Sequence, residues 1–276
     1  MKKICVITMA REDEFFLRRW ARYYSGVLGP ENVYVYLDGL DQDLPMLGEG
    51  VNIIPVERIV SNSVAEGDSL RIAFLSDRAA ELFSRYDIVI GTDCDEMLIP
   101  DPARGKNLLE FLQDCESPCL SAQGVDVGQI IGVEESLDIL LPLLSQRSRG
   151  RLSSTYTKAC VLTEPLRWGS GFHRVKGHGY HIAEGLFLFH FGYCDAGLST
   201  TRAYDRTSVG GWAAHIEKRS IIRKQCTEGP VLEWDAAVRK ARRIESAVHP
   251  VYAWNKPALL GKVMIVEIPQ RFREIV

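Results

Sequence analysis

Two aspartates one residue apart, Asp93 and Asp95, with Glu96 directly after them, are the residues best suited to chemistry in this chain of 276 residues. In an extended segment, side chains two apart point to the same side. Two carboxylates brought together that way repel each other unless a cation sits between them. Mg2+ and Mn2+ favour oxygen ligands and combine a few carboxylates with substrate phosphates. The pattern therefore points to a divalent cation that offsets the charge of a departing phosphate group. A bare Asp-x-Asp is also common in exposed turns, so the elements around it decide the reading.

Those elements are regular over the first hundred residues. Ile4 to Met9 is a short apolar run that predicts a buried strand. A helix follows over 12–24, with Phe16, Leu17, Trp20, Tyr23 and Tyr24 on one face. Asn32 to Leu37 reads as a second strand, ending at Asp38-Gly39, and Val51 to Val56 as a third. Ile72, Leu75, Ala79, Leu82 and Phe83 mark a helix over 69–86. Asp87 to Ile90 is a fourth strand, and it runs directly into Gly-Thr-Asp-Cys-Asp-Glu. The order β-α-β-β-α-β predicts an α/β fold with a mostly parallel sheet flanked by helices. In such sheets ligands bind beyond the carboxyl ends of the strands. Thr8, Arg11, Asp38, Asp93 and Asp95 all fall at those ends.

Further on, Pro118 to Val125 reads as a strand, 134–144 as a helix and 145–158 as a polar, basic loop. Cys160 to Leu162 and Leu186 to Phe191 read as strands, and helices are expected near 213–225 and 231–246. The expected organisation is one α/β domain over 1–210 and a helical, basic C-terminal extension over 211–276.

Three segments together resemble the GT-A fold glycosyltransferases, in particular a family-2-like group with an Asp-x-Asp-Glu motif. They are Met9-Ala10-Arg11-Glu12-Asp13-Glu14 with the helix ending Trp20-Ala21-Arg22-Tyr23-Tyr24; Tyr34-Val35-Tyr36-Leu37-Asp38; and Thr92 to Leu98. The resemblance is strongest over 1–100, weaker to about 205 and absent in the tail. It implies transfer of a sugar from a nucleoside-diphosphate donor, a UDP-sugar being favoured, to the hydroxyl of a glycan or lipid-linked acceptor. It also implies Mn2+ or Mg2+ as cofactor, held by Asp93 and Asp95. Thr8 and Arg11 would line the donor pocket, Asp38 would contact the base, and Arg71 and Lys158 would lie near base or diphosphate. His190, in the run Leu186 to Tyr193, would complete the metal shell, ahead of His173, His178, His181 and His215. His173, in Gly169-Ser170-Gly171-Phe172-His173, is expected in the donor or acceptor site. The base that deprotonates the acceptor is expected at Asp126, with Glu164 and Glu184 as alternatives.

Composition narrows the rivals. Residues 211–276 hold twelve Lys and Arg against seven Asp and Glu, while 1–210 hold 21 against 29. An acidic body argues against nucleic acid as partner. The basic tail suits peripheral contact with an anionic membrane. Seven scattered cysteines fit reduced thiols in a cytoplasmic protein. No run approaches the ~20 apolar residues of a membrane span. No glycine-rich phosphate loop, dinucleotide fingerprint or Gly-x-Ser-x-Gly elbow is present. A metal-dependent hydrolase and a non-catalytic nucleotide- or glycan-binding protein remain the alternatives to a transferase.

Overall fold

The computed structural model describes residues 1–198 and 212–276, with backbone alone for 212–216 and 218. The first strand, β1 (Ile4–Ala10), is buried along its whole length. Its alternate side chains enter two cores: Ile4, Val6 and Ala10 one, Cys5, Ile7 and Met9 the other. A strand covered on both faces is apolar at nearly every position, which explains the continuous run in the sequence.

One face is covered by α1 (Glu14–Leu28), which buries Phe16, Leu17, Trp20, Ala21, Tyr24 and Leu28. The other is covered by α2 (Val64–Leu82), through Ile72, Leu75, Ala79 and Leu82. This helix begins five residues before the expected start. Its apolar stripe is silent there, but Ser63 accepts a hydrogen bond from the Glu66 amide and Glu66 accepts one from the Asn62 amide. That reciprocal cap satisfies otherwise orphaned donors and fixes the N-terminus.

Around β1, the strands β2 (Val33–Asp38), β3 (Asn52–Val56) and β4 (Ile88–Gly91) pair in parallel, in the order β4-β1-β2-β3. The carboxyl ends of β1, β2 and β4 thus lie along one edge. Beyond β4 the pairing turns antiparallel. β8 (Lys158–Leu162) lies beside β4, β6 (Cys119–Gly128) beside β8, and β7 (Arg149–Leu152) beside β6. β9 (Ile182–His190) runs parallel to β6 and carries β5 (Glu96–Pro100) antiparallel on its other side. The short helix α3 (Leu108–Gln113) joins β5 to β6 and is held by a capping box between Asn107 and Glu110. Among the described residues the result is one mixed, 11-stranded sheet with helices packed on it, the α/β class expected.

Two expectations for the middle of the chain fail. The helix expected over 134–144 is absent. Glu134 instead accepts hydrogen bonds from the amides of Ile130 and Ser148 and from the Ser148 hydroxyl, each at 2.8 Å, and this cinches the segment into a loop. The segment 145–158, expected as a loop, contains β7. Its cations are accommodated: Arg151 pairs with Asp126 at 3.4 Å and Arg149 donates to the Cys226 carbonyl at 2.9 Å.

The tail supplies the two expected helices, α4 (Trp212–Glu228) and α5 (Trp234–Ala247). It also supplies two strands that no expectation covered. β10 (Val231–Leu232) and β11 (Met264–Glu267) pair with each other and extend the sheet through β7. Trp234, Ala237, Ala241 and Phe272 belong to the same core as α1. The boundary expected at 210–211 lies outside the described residues, as does the side chain of His215. All seven cysteines are buried and none is in a disulfide.

Glu245 anchors α5. It is fully buried and accepts hydrogen bonds from Thr157 Oγ1 at 2.8 Å and Gln123 Nε2 at 3.1 Å. Burial pushes its carboxyl up to about 7. The folded state therefore binds this proton more tightly than the unfolded chain, and stability falls as pH rises from about 4.5 towards 7. The Glu245→Gln variant should remove that loss, gaining up to about 3 kcal/mol over the parent between about pH 5 and pH 8. Denaturant unfolding at both pH values checks this, and a stability difference that does not change with pH would refute it.

Candidate functional site

The site forms where β4 ends. After Gly91 the chain turns through Thr92, Asp93, Cys94 and Asp95 and re-enters the sheet as β5. Three side chains of α1 clamp this turn. Trp20 Nε1 donates to Thr92 Oγ1 at 2.8 Å. Tyr24 Oη accepts from the Leu98 amide at 2.9 Å, and Tyr23 Oη donates to the Leu98 carbonyl at 2.8 Å. The Trp-x-x-Tyr-Tyr pattern at the helix end thus fixes both sides of the acidic turn.

Within the turn, Asp93 is held by two cations. Arg71 of α2 donates to Oδ1 at 2.6 Å, and Lys158, the first residue of β8, reaches Oδ2 at 3.1 Å. Lys158 also bonds Glu96 at 2.5 Å, and Arg71 bonds Asp68 at 2.8 Å. Burial alone would raise the Asp93 carboxyl, but Arg71 and Lys158 outweigh it and hold the group well below the usual carboxylate range. Burial pushes Glu96 up, with the Lys158 ammonium pulling against it. Burial likewise opposes the charges of Arg71 and Lys158, and their carboxylate partners raise both.

The neighbouring strands add a second line of groups. Register sets Glu96 opposite His190, His190 opposite Asp126, and Asp126 opposite Arg151, so one row crosses β5, β9, β6 and β7. His190 Nδ1 lies 2.8 Å from Asp126 Oδ1, and Asp126 Oδ2 lies 3.4 Å from Arg151. The imidazole is sandwiched by Tyr156, stacked at 3.8 Å, and by the edge of Tyr193 at 4.8 Å. With Nδ1–H donated to the buried Asp126, Nε2 presents its lone pair on the opposite side. There it meets Asp95 Oδ2 at 3.7 Å. A methyl group on Gly192 would stand 2.7 Å from His190 Nε2 and 2.8 Å from Asp95 Oδ2, so both atoms face the space that this glycine leaves open. Ligand atoms of Asp93, Asp95 and Glu96 also lie within 4.8 Å of one another. Carboxylate oxygens and one imidazole nitrogen make a donor set that suits Mn2+ or Mg2+.

The expected residues divide into those the fold gathers and those it places elsewhere. Arg71, Asp93, Asp95, Lys158 and His190 come together. Asp126, the expected base, joins them behind His190, fully buried and bonded to the imidazole. Thr8 is also fully buried, and its Oγ1 has no hydrogen-bond partner among the described residues, so it does not line an open donor pocket. Arg11 clamps the loop after β2, donating to Asp41 twice at 2.8 Å and to the Asp38 carbonyl at 2.9 Å. Asp38 accepts from the Ile59 amide at 2.6 Å, tying the ends of β2 and β3. His173 follows a single 3-10 turn, Ser170–Phe172, whose Phe172 ring lies 5.8 Å from the Arg71 guanidinium and 5.9 Å from the Lys158 ammonium. Glu164 is exposed in the loop after β8. Glu184 is six residues before His190 on β9, about 20 Å away at strand rise, and pairs with Arg104 and Arg242.

Sequence reasoning named Glu96 only as part of the acidic motif, and it missed Tyr156, Arg151 and Gly192 as members of the site. The short apolar run Met97-Leu98-Ile99 was the available signal that Glu96 opens a buried strand. For the other three, nothing local marks the contact, because register across four strands creates it.

No family model matches the sequence, and no curated protein does. Among solved structures, a mannosyltransferase from Pyrobaculum calidifontis in complex with GDP-Man and Mn2+ is 10% identical over 79% of this chain and 64% of that one, with a TM-score of 0.39. This chain thus spans less than two thirds of that protein. A mannose-1-phosphate geranyltransferase from Thermus thermophilus is 11% identical over 96% of this chain and 73% of that one, with a TM-score of 0.30. A glycosyltransferase involved in glycosylation of the major capsid of PBCV-1 is 12% identical over 48% and 54%, with a TM-score of 0.25. Likeness at this level decides neither activity nor substrate.

Replacing Lys158 by Met should leave Asp93 and Glu96 facing each other with one buried cation fewer. Removal of one partner from a buried ionic network costs about 3–5 kcal/mol. Urea unfolding of Lys158→Met measures it, and a loss below about 1 kcal/mol would mean the network contributes no more than a surface pair.

Proposed function

We propose that this protein is a GT-A-type glycosyltransferase that moves a sugar from a nucleoside-diphosphate donor to an acceptor hydroxyl, with a divalent cation at Asp95 and His190. The observation that carries this reading is the convergence of Asp95 Oδ2 and His190 Nε2 on the space beside Gly192, next to the Asp93–Glu96 cluster. Two acceptors that face one another across 3.7 Å are matched by a cation. The site also lies at the carboxyl edge of the parallel strands, where α/β sheets bind ligands.

Each residue then has a distinct task. Asp95 and His190 hold the cation, with Asp93 and Glu96 adding negative charge around it. Asp126 accepts from Nδ1 and keeps the imidazole oriented, with Nε2 turned towards Asp95. Arg71 and Lys158, which pair with Asp93 here, stand where they can exchange part of that pairing for the oxygens of a diphosphate. The cation, when bound, offsets the charge that develops on the leaving diphosphate. His173, one residue beyond Phe172, would contact the donor or the acceptor. The donor nucleotide expected from the sequence is UDP, and the binding panel below decides between it and the others.

A thermal-shift panel of UDP, GDP, CDP and dTDP, with and without Mn2+, tests the reading. One nucleotide should raise the melting temperature in a metal-dependent way, by the equivalent of about 2.7 kcal/mol at a hundredfold excess over Kd. No shift with any nucleotide would favour the hydrolase or non-catalytic alternatives. Asp95→Ala should abolish both the shift and sugar transfer while the fold persists; transfer retained in that variant would sink the proposal. Gly192→Ala should weaken Mn2+ binding at least tenfold, since its methyl group enters the space faced by both donor atoms. Unchanged metal affinity in that variant would place the cation elsewhere.

A further inference from the structure

Two loops that pack together beyond Phe172 combine exposed apolar side chains with more cations than carboxylates. The first lies between β8 and β9. From 165 to 183 it carries Arg174, Lys176, three histidines and Arg167, which pairs with Asp77, and no Asp or Glu; the exposed Glu164 stands just before it. The second lies between α5 and β11. From 246 to 266 it carries Lys256, Lys262 and His249, again with no Asp or Glu. Such a bias stands out in a chain with 36 carboxylates against 33 lysines and arginines.

The two loops are tied to each other and to the body. Asn255, itself buried, donates to the Val175 carbonyl at 2.7 Å. The Trp254 ring lies beside Gly179, 3.8 Å from where a Cβ would stand. Ala258 N donates to the Val248 carbonyl at 2.9 Å, closing the second loop at its base. Ala253 and Leu259 fill the core side. The remaining large apolar residues turn outward: Val251, Tyr252, Trp254, Leu260 and Val263 are all half or more exposed, and Tyr252 reaches 78%. Leu260 adopts a left-handed backbone, φ +52, directly after the buried Leu259. That conformation is uncommon for a residue with a side chain, and here it holds a leucine away from the core.

We propose that this surface docks the protein onto an anionic lipid bilayer. Trp and Tyr flanked by aliphatic side chains suit the boundary between headgroups and acyl chains. Lysine and arginine beside them are attracted to acidic headgroups by about fivefold in binding per cation. The charge complementarity is local: it belongs to these loops and not to the acidic body. A single-stranded nucleic acid also pairs cations with aromatic rings. The exposed set here is mainly aliphatic, however, and Val251, Leu260 and Val263 offer bases nothing to stack on. The loop of 165–183 passes the candidate site at Phe172, so docking would bring that site to the membrane surface.

Co-sedimentation of the full chain with sucrose-loaded vesicles tests the proposal. The protein should pellet with phosphatidylcholine vesicles containing phosphatidylglycerol, should stay in solution with phosphatidylcholine alone, and should be released by salt. The double variants Tyr252→Ser with Trp254→Ser, and Lys176→Glu with Lys262→Glu, should each lower binding about tenfold or more. Neither pair belongs to the metal or nucleotide site, so the metal-dependent nucleotide shift should survive in both, which also reports that they fold. Failure of the parent protein to pellet, equal pelleting of both variants, or capture by oligo-dT in place of vesicles would overturn the proposal. Docking stands apart from the transferase reading: vesicle binding without a nucleotide shift, or the reverse, separates the two.

Discussion

Asp93 sits between Arg71 of α2 and Lys158 of β8 and is the carboxylate that these two cations share. A buried charge without a partner costs several kcal/mol, so the three groups must be assembled together. Because they come from a helix, a turn and a strand, their pairing fixes how α2 and the second half of the sheet sit around the end of β4. Glu96 extends the same network to β5 through Lys158. The acidic turn is thus as much a structural junction as a place for chemistry.

From that junction the mixed topology follows its own logic. The parallel strands β4-β1-β2-β3 bring the carboxyl ends of β1 and β4 side by side. The antiparallel strands beyond them bring side chains into register at the same level. Glu96, His190, Asp126 and Arg151 form a row in which a charged or polar group always faces one that complements it. The far end of this row reaches α4, where Arg151 bonds Gln225 at 3.1 Å. Burial makes each contact in the row stronger and each missing partner more costly. The imidazole of His190, fixed by Asp126 and by Tyr156, has little freedom to present Nε2 anywhere but towards Asp95.

The proposed membrane surface is attached to this arrangement and is not an isolated appendage. Phe172 packs near Arg71 and Lys158, and the residues that follow it lead into the basic loop. Its partner loop leaves from α5, whose buried Glu245 is bonded to Thr157, the neighbour of Lys158. The same helices and strands that hold the charge network therefore present the exposed aromatic and cationic side chains. Among the described residues no helix is long and apolar enough to cross a membrane.

The strands and helices of the first hundred residues, and the Asp93–Asp95 pair at the end of β4, were legible in the sequence. Local patterns suffice for them: a doubly covered strand is a continuous apolar run, and an amphipathic helix repeats at three and four residues. The capping of α2 was equally local, in Ser63 and Glu66, although its apolar stripe begins later. His190 and Lys158 were identifiable through resemblance to a known group, not through their own surroundings. What only the tertiary structure decided is every relation that depends on register between distant strands. Asp126 became the partner of His190 because β6 lies beside β9. Arg149 and Arg151 entered a strand because Asp126 and the end of α4 accept their charge. β10 and β11 joined the sheet through pairing with β7, more than a hundred residues away from β11 in the chain. A sequence pattern records which face of an element is buried, but not which element covers it, and at this site the covering element supplies the chemistry.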